Sequence, residues 1–100
     1  MNTKELINKR VGAISNINAD TKVAEFYGYG VYLGDYIPDN DDIKLFNISL
    51  KKLSFTNPKI LLDSGDYVWG CECWWAPEEE IKNMLSSCEE IKIIPVNQYR

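Results

Sequence analysis

The chain has 100 residues, of which 45% are hydrophobic and 26% charged, with a net charge of −4 and no histidine. Length and balance fit one globular domain, residues 1–100, with one modest core. The acidic sign disfavours nucleic acid and anionic membrane surfaces, because both bind through neutralised phosphates. The missing imidazole excludes histidine triads and histidine metal sites.

The three cysteines are an odd number. They fit free thiols in a reducing cytoplasm better than a disulfide framework. The segment from Met1 to Lys9 has no long apolar run and is not read as a leader. No stretch approaches the roughly 20 apolar residues of a membrane span. The expected location is therefore cytoplasmic.

In chain order, Val11, Ala13 and Ser15 alternate with Arg10, Gly12, Ile14 and Asn16, which predicts a first strand. Gly12 inside it signals a bulge or a close backbone approach. Asn16 to Thr21 is a polar turn. Lys22 to Tyr27 reads as a second strand, with Ala24 and Phe26 on one face and Val23, Glu25 and Tyr27 on the other. In the following Gly28-Tyr29-Gly30-Val31-Tyr32-Leu33-Gly34, Tyr32 is flanked by two bare positions. Those glycines mark either a sharply curved strand or a place where a ligand lies flat on the backbone.

Asp35 to Asp42 is an acidic loop that lacks the glycine and glutamate of a calcium loop. Ile43 to Phe55 fits helix and strand spacing alike and is assigned a short helix or irregular cover. Asn57-Pro58 is expected to break structure. Lys59 to Leu62 is a short strand, and Asp63-Ser64-Gly65-Asp66 is a hairpin turn with Gly65 at the left-handed position. The returning strand is Tyr67-Val68-Trp69-Gly70-Cys71-Glu72-Cys73-Trp74-Trp75, which contains every tryptophan. Pro77 opens a helix expected to reach about Cys88, with Glu78, Glu79 and Glu80 at its positive end and Ile81, Met84, Leu85 and Cys88 on one face. Ile91 to Val96 reads as a final edge strand and Gln98-Tyr99-Arg100 as a tail.

The blocks Gly28-Tyr29-Gly30-Val31-Tyr32, Asn57-Pro58-Lys59-Ile60, Leu62-Asp63 and Val68-Trp69-Gly70-Cys71-Glu72-Cys73-Trp74-Trp75 resemble a family of small hypothetical proteins of bacteria and phages. That resemblance implies no particular activity. It implies a phage setting, in which counter-defence is the expected role.

If the tryptophan stretch is one strand, Trp69, Cys71, Cys73 and Trp75 share one face and Val68, Gly70, Glu72 and Trp74 the other. One indole must then meet solvent, a partner or a ligand, and Trp74 beside Glu72 is the choice. The C-x-C spacing gives a poor bite for zinc, so no metal and no cofactor is expected. No nucleophile, base and orienter come together, so no enzyme activity is expected.

The expected fold is α+β: a small, strongly bent antiparallel sheet, an SH3-like partial barrel, with one C-terminal helix and a final edge strand. The expected function is non-enzymatic binding of a small planar, nucleotide-like ligand. Tyr29, Tyr32, Trp69 and Trp74 would form an aromatic pocket, aided by Glu72, with Arg10 and Lys59 for a phosphate. The alternative is an acidic protein-interaction module that inhibits a host nucleic-acid-binding protein. There Asp35, Asp39, Asp41, Asp42, Glu78, Glu79 and Glu80 would meet a basic surface. Both are compatible with a homo-oligomer.

Overall fold

The structure is a computed structural model and describes residues 3–100. Met1 and Asn2, the head of the segment read as lacking a leader, lie outside the described residues. Alternation in the first third builds a long antiparallel pair. β1 (Arg10–Asn18) pairs with β2 (Val23–Tyr36), Asn18 opposite Val23 and Arg10 opposite Val31. The Asn18 carboxamide oxygen accepts the Asp20 and Thr21 N–H groups and so shapes the turn between them. The strand expected over Lys22–Tyr27 thus continues through the glycine-rich stretch to Tyr36. Its glycines do not end it, and register shifts fall near Ala13 and Ile14 and again between Tyr32 and Gly34.

The segment from Ile43 to Phe55 is neither one helix nor irregular. β3 (Lys44–Leu45) and β4 (Ile48–Ser49) form a small hairpin, followed by the one-turn helix α1 (Leu50–Leu53). The hairpin turn, Phe46-Asn47, has φ of 52° and 65°, the left-handed pair of a type I′ turn. A phenylalanine gives no sequence signal for that conformation, so the turn was not legible. The Ser49 hydroxyl caps α1 by accepting the Lys52 N–H. The short helix offered for this segment is thus present, but only over Leu50–Leu53.

β5 (Asn57–Leu62) pairs with β2 and, through the Asp63–Asp66 turn, with β6 (Tyr67–Trp69). Pro58 lies inside β5 instead of breaking it. The tryptophan stretch is not one strand. Residues Gly70–Glu72 make a 3₁₀ turn, and a new strand, β7 (Trp74–Pro77), runs antiparallel to β1. α2 (Glu78–Leu85) follows, with Pro77 as its cap and not its first helical residue, and it ends at Leu85, short of the Cys88 expected. β8 (Glu90–Ile93) pairs with β2 in parallel, which corrects the all-antiparallel expectation.

The main sheet has the order β6-β5-β2-β1-β7, with β8 on the same edge of β2 as β5. It is a small α+β fold, mostly antiparallel, and the sheet is not closed into a barrel. One face packs Val11, Ala13, Tyr27, Tyr32, Ile60, Leu62 and Val68 under Val96. The other packs Ile14, Ala24 and Phe26 against Ile81 and Leu85 of α2. At roughly 1.5–3 kcal/mol for each fully buried aliphatic side chain, these two residues hold a helix too short to stand alone. Gly12 admits the helix, since a Cβ there would lie 2.7 Å from Ile81 Cγ2. No described helix is long and apolar enough to cross a membrane.

Candidate functional site

The 3₁₀ turn at Gly70–Glu72 decides where the tryptophan stretch points. Gly70 lies against the Pro58 ring, where a Cβ would meet ring carbons at 2.8 Å. The Asn57 side-chain oxygen accepts the Cys71 N–H at 2.8 Å, and the Glu72 carboxylate accepts the Trp69 N–H at 3.1 Å. These bonds replace the ladder an unbroken strand would have made. The expected shared face is therefore split. Trp69 and Cys71 pack with Ile43 and Leu50, while Cys73 and Trp75 pack on the central core.

β7 restores alternation, so its two leading indoles go opposite ways. Trp75 turns inward, 4.7 Å from the Tyr32 ring. Trp74 turns outward and is 65% exposed. It borders an apolar groove of about 250 Å³ with Ile14, Ser15, Asn16, Ile17 and Met84. β7 pairs only as far as Ile14, whereas β1 runs on to Asn18. The outer edge of Ser15–Asn18 therefore carries no strand among the described residues.

The seven side chains expected to form one pocket do not converge. Tyr32 is 2% exposed, and its hydroxyl donates to Asp35 at 2.7 Å. Tyr29 is half-buried, edge-on to Phe26 at 4.9 Å. Trp69 is 4% exposed in the small cluster beside α1. Arg10 donates to Asp63 and Glu78. Lys59 places its ammonium 4.3 Å from the Tyr67 ring centre, 5.5 Å from Trp69 and 5.6 Å from Tyr36. Of the seven, Trp69 meets Lys59 through its ring and Glu72 through its backbone N–H, and both cations are engaged within the chain.

Glu72 faces a different cavity, of about 450 Å³, bordered by Tyr27, Asp42, Lys44, Cys71 and Arg100. Arg100 donates twice to its carboxylate and once to the Tyr67 carbonyl. Glu72 keeps the Arg100 guanidinium above its ordinary pKa, and burial raises the Tyr27 phenol. The last residues looked like a tail. No local pattern marks Arg100, because its partner is 28 positions away.

The acidic candidates are partly engaged. Asp35 and Asp41 accept the Tyr32 and Ser49 hydroxyls, and Glu78 binds Arg10 and Lys82. Glu79 also pairs with Lys82 at 3.6 Å, while Asp39, Asp42 and Glu80 are exposed.

The Cys73 thiol donates to the Trp69 carbonyl at 3.4 Å. Burial, helped by Glu72 and Cys71, pushes it up to about 12. Burial also raises Cys71. Both thiols are thus protonated near neutrality and are weak nucleophiles and weak metal ligands. Among the described residues no three Cys, Asp or Glu side chains gather with metal-binding geometry. No family model, no curated protein and no solved structure matches the chain.

Proposed function

We propose that the chain is a non-enzymatic binding protein that takes its partner on the Trp74 groove. The observation that carries this is a tryptophan left 65% exposed between Ile14, Ile17 and Met84. A tryptophan offers roughly 150–250 Å² of surface, and covering the open part is worth about 2–4 kcal/mol. Tryptophan in such a setting is a frequent centre of binding energy. A nucleotide-like ligand at this groove loses its expected phosphate anchors, since Arg10 and Lys59 serve Asp63, Glu78 and the Tyr67 ring. An apolar side chain of another protein suits the lining better. The test is calorimetry and tryptophan emission against a panel of peptides and metabolites. The response should vanish in Trp74→Ala and persist when Asp39, Asp41 and Asp42 become Asn. A folded wild-type chain silent to the whole panel speaks against the reading.

A second reading, a small planar ligand, rests on the cavity of about 450 Å³ beside Glu72 and Arg100. The guanidinium offers a flat face for stacking and the Tyr27 hydroxyl a polar contact. Here Glu72→Gln, and not Trp74→Ala, should weaken binding of a metabolite.

A further inference from the structure

We infer that the occupant of the groove is an extended peptide segment that adds as a strand to the outer edge of β1 at Ser15–Asn18. This rests on the reading of Trp74 as the contact surface and names what lies there.

Three observations carry it. The first is the ladder. β7 pairs with β1 from Val11 to Ile14 and begins at Trp74. The chain before it turns into the core at Cys73. Beyond Ile14, Asn16, Ile17 and Asn18 pair with Glu25, Ala24 and Val23, and among the described residues on the inner side only. An unpaired edge offers a row of backbone donors and acceptors to another chain. A strand laid there, antiparallel to β1, continues the line of β7.

The second is side-chain alternation. Alternate residues of such a strand fall on the face where Ile14, Ile17, Met84 and Trp74 form the groove. Affinity then comes from main-chain bonds and selectivity from the groove, the division of labour usual for strand addition.

The third is charge. Glu80 lies one helical turn before Met84 on the same side of α2, is exposed and has no ion-pair partner among the described residues. Asp20 stands exposed in the turn that ends β1. With the chain at −4 overall, the complementary segment alternates apolar and basic residues.

The experiment titrates the isotope-labelled full chain with a synthetic Val–Lys alternating peptide of about eight residues, a length typical of strands. Comparison peptides are its Val–Glu counterpart and a Val–Lys version with alternate backbone nitrogens methylated. Binding should slow amide exchange within Ser15–Asn18 and shift the Trp74 indole signal. Methylation, the acidic swap and Trp74→Ala should each weaken it by about 10-fold or more. If the methylated peptide binds as tightly, or Ser15–Asn18 gain no protection, strand addition is overturned while the groove reading stands. If Trp74→Ala binds as tightly as wild type, the groove reading falls as well. No binding by the Val–Lys peptide at millimolar concentration also overturns the inference.

Discussion

The Arg100 guanidinium holds both oxygens of the Glu72 carboxylate, through Nε at 2.7 Å and a terminal nitrogen at 2.8 Å. The side chains are only 18% and 13% exposed, so neither charge is well hydrated without the other. Truncating one partner leaves the other poorly solvated. Arg100→Ala should lower unfolding stability by about 1–3 kcal/mol, read from the urea midpoint. The double variant with Glu72→Gln should lose less than the sum of the singles, because the two share one interaction.

Two glycines should respond very differently to alanine. A Cβ at Gly30 would run into the Leu61 carbonyl and sit 2.7 Å from Leu62 Cα, both backbone atoms of β5. Gly30→Ala should therefore cost about 3 kcal/mol or more, at the upper end for overpacking. Gly65 has φ of +97° and nothing within 4 Å. Gly65→Ala should cost only about 1–2 kcal/mol, from its left-handed backbone. Thermal unfolding of both variants checks the ranking.

Alkaline pH should act through Cys73. Its folded pKa is raised to about 12, so its contribution is fully present below the ordinary thiol range and lost as pH rises toward 12. The unfolding midpoint should fall above about pH 9, and Cys73→Ala should flatten that slope. Mass spectrometry after iodoacetamide at pH 8 should find Cys73 largely unmodified in the folded chain.

Acid should loosen the clasp between Arg10, Asp63 and Glu78. Arg10 lowers the Asp63 pKa, while Lys82 and then Arg10 lower that of Glu78. Depressed carboxylates contribute above their unfolded values and lose that contribution as pH falls through the folded ones. The melting temperature should drop below about pH 5, less steeply in Arg10→Gln and less steeply in high salt. The effect is small because Arg10 and Asp63 are open to solvent.

Emission should separate the three indoles. Trp69 is buried, Trp75 stacks inward near Tyr32 and Trp74 is exposed. Trp74→Phe should remove most acrylamide-quenchable emission and shift the spectrum blue while leaving stability within about 0.5 kcal/mol.

The sequence carried β1, β2, the Gly65 turn and the apolar face of α2 in plain periodicity, and one of the bare positions beside Tyr32 falls at a register shift between Tyr32 and Gly34. It also carried the exposure of Trp74, though for another reason than the one found. A single strand from Tyr67 to Trp75 would have placed Trp74 opposite Trp75; the new strand β7 does the same after a break. That break at Gly70–Glu72 depends on Pro58, Asn57 and Glu72 meeting in space, which no local pattern encodes. For the same reason Arg100, Met84 and Ile17 were missed as neighbours of the two cavities, and Tyr32 and Trp69 were expected in a pocket they do not line.

β8 reaches β2 late in synthesis. Val23–Phe26 emerge early, yet their free edge has no partner until Glu90–Ile93 are made. A chain stalled before residue 90 would offer that edge to its neighbours on a polysome. Truncation in this region should therefore reveal itself as aggregation during translation rather than as loss of binding.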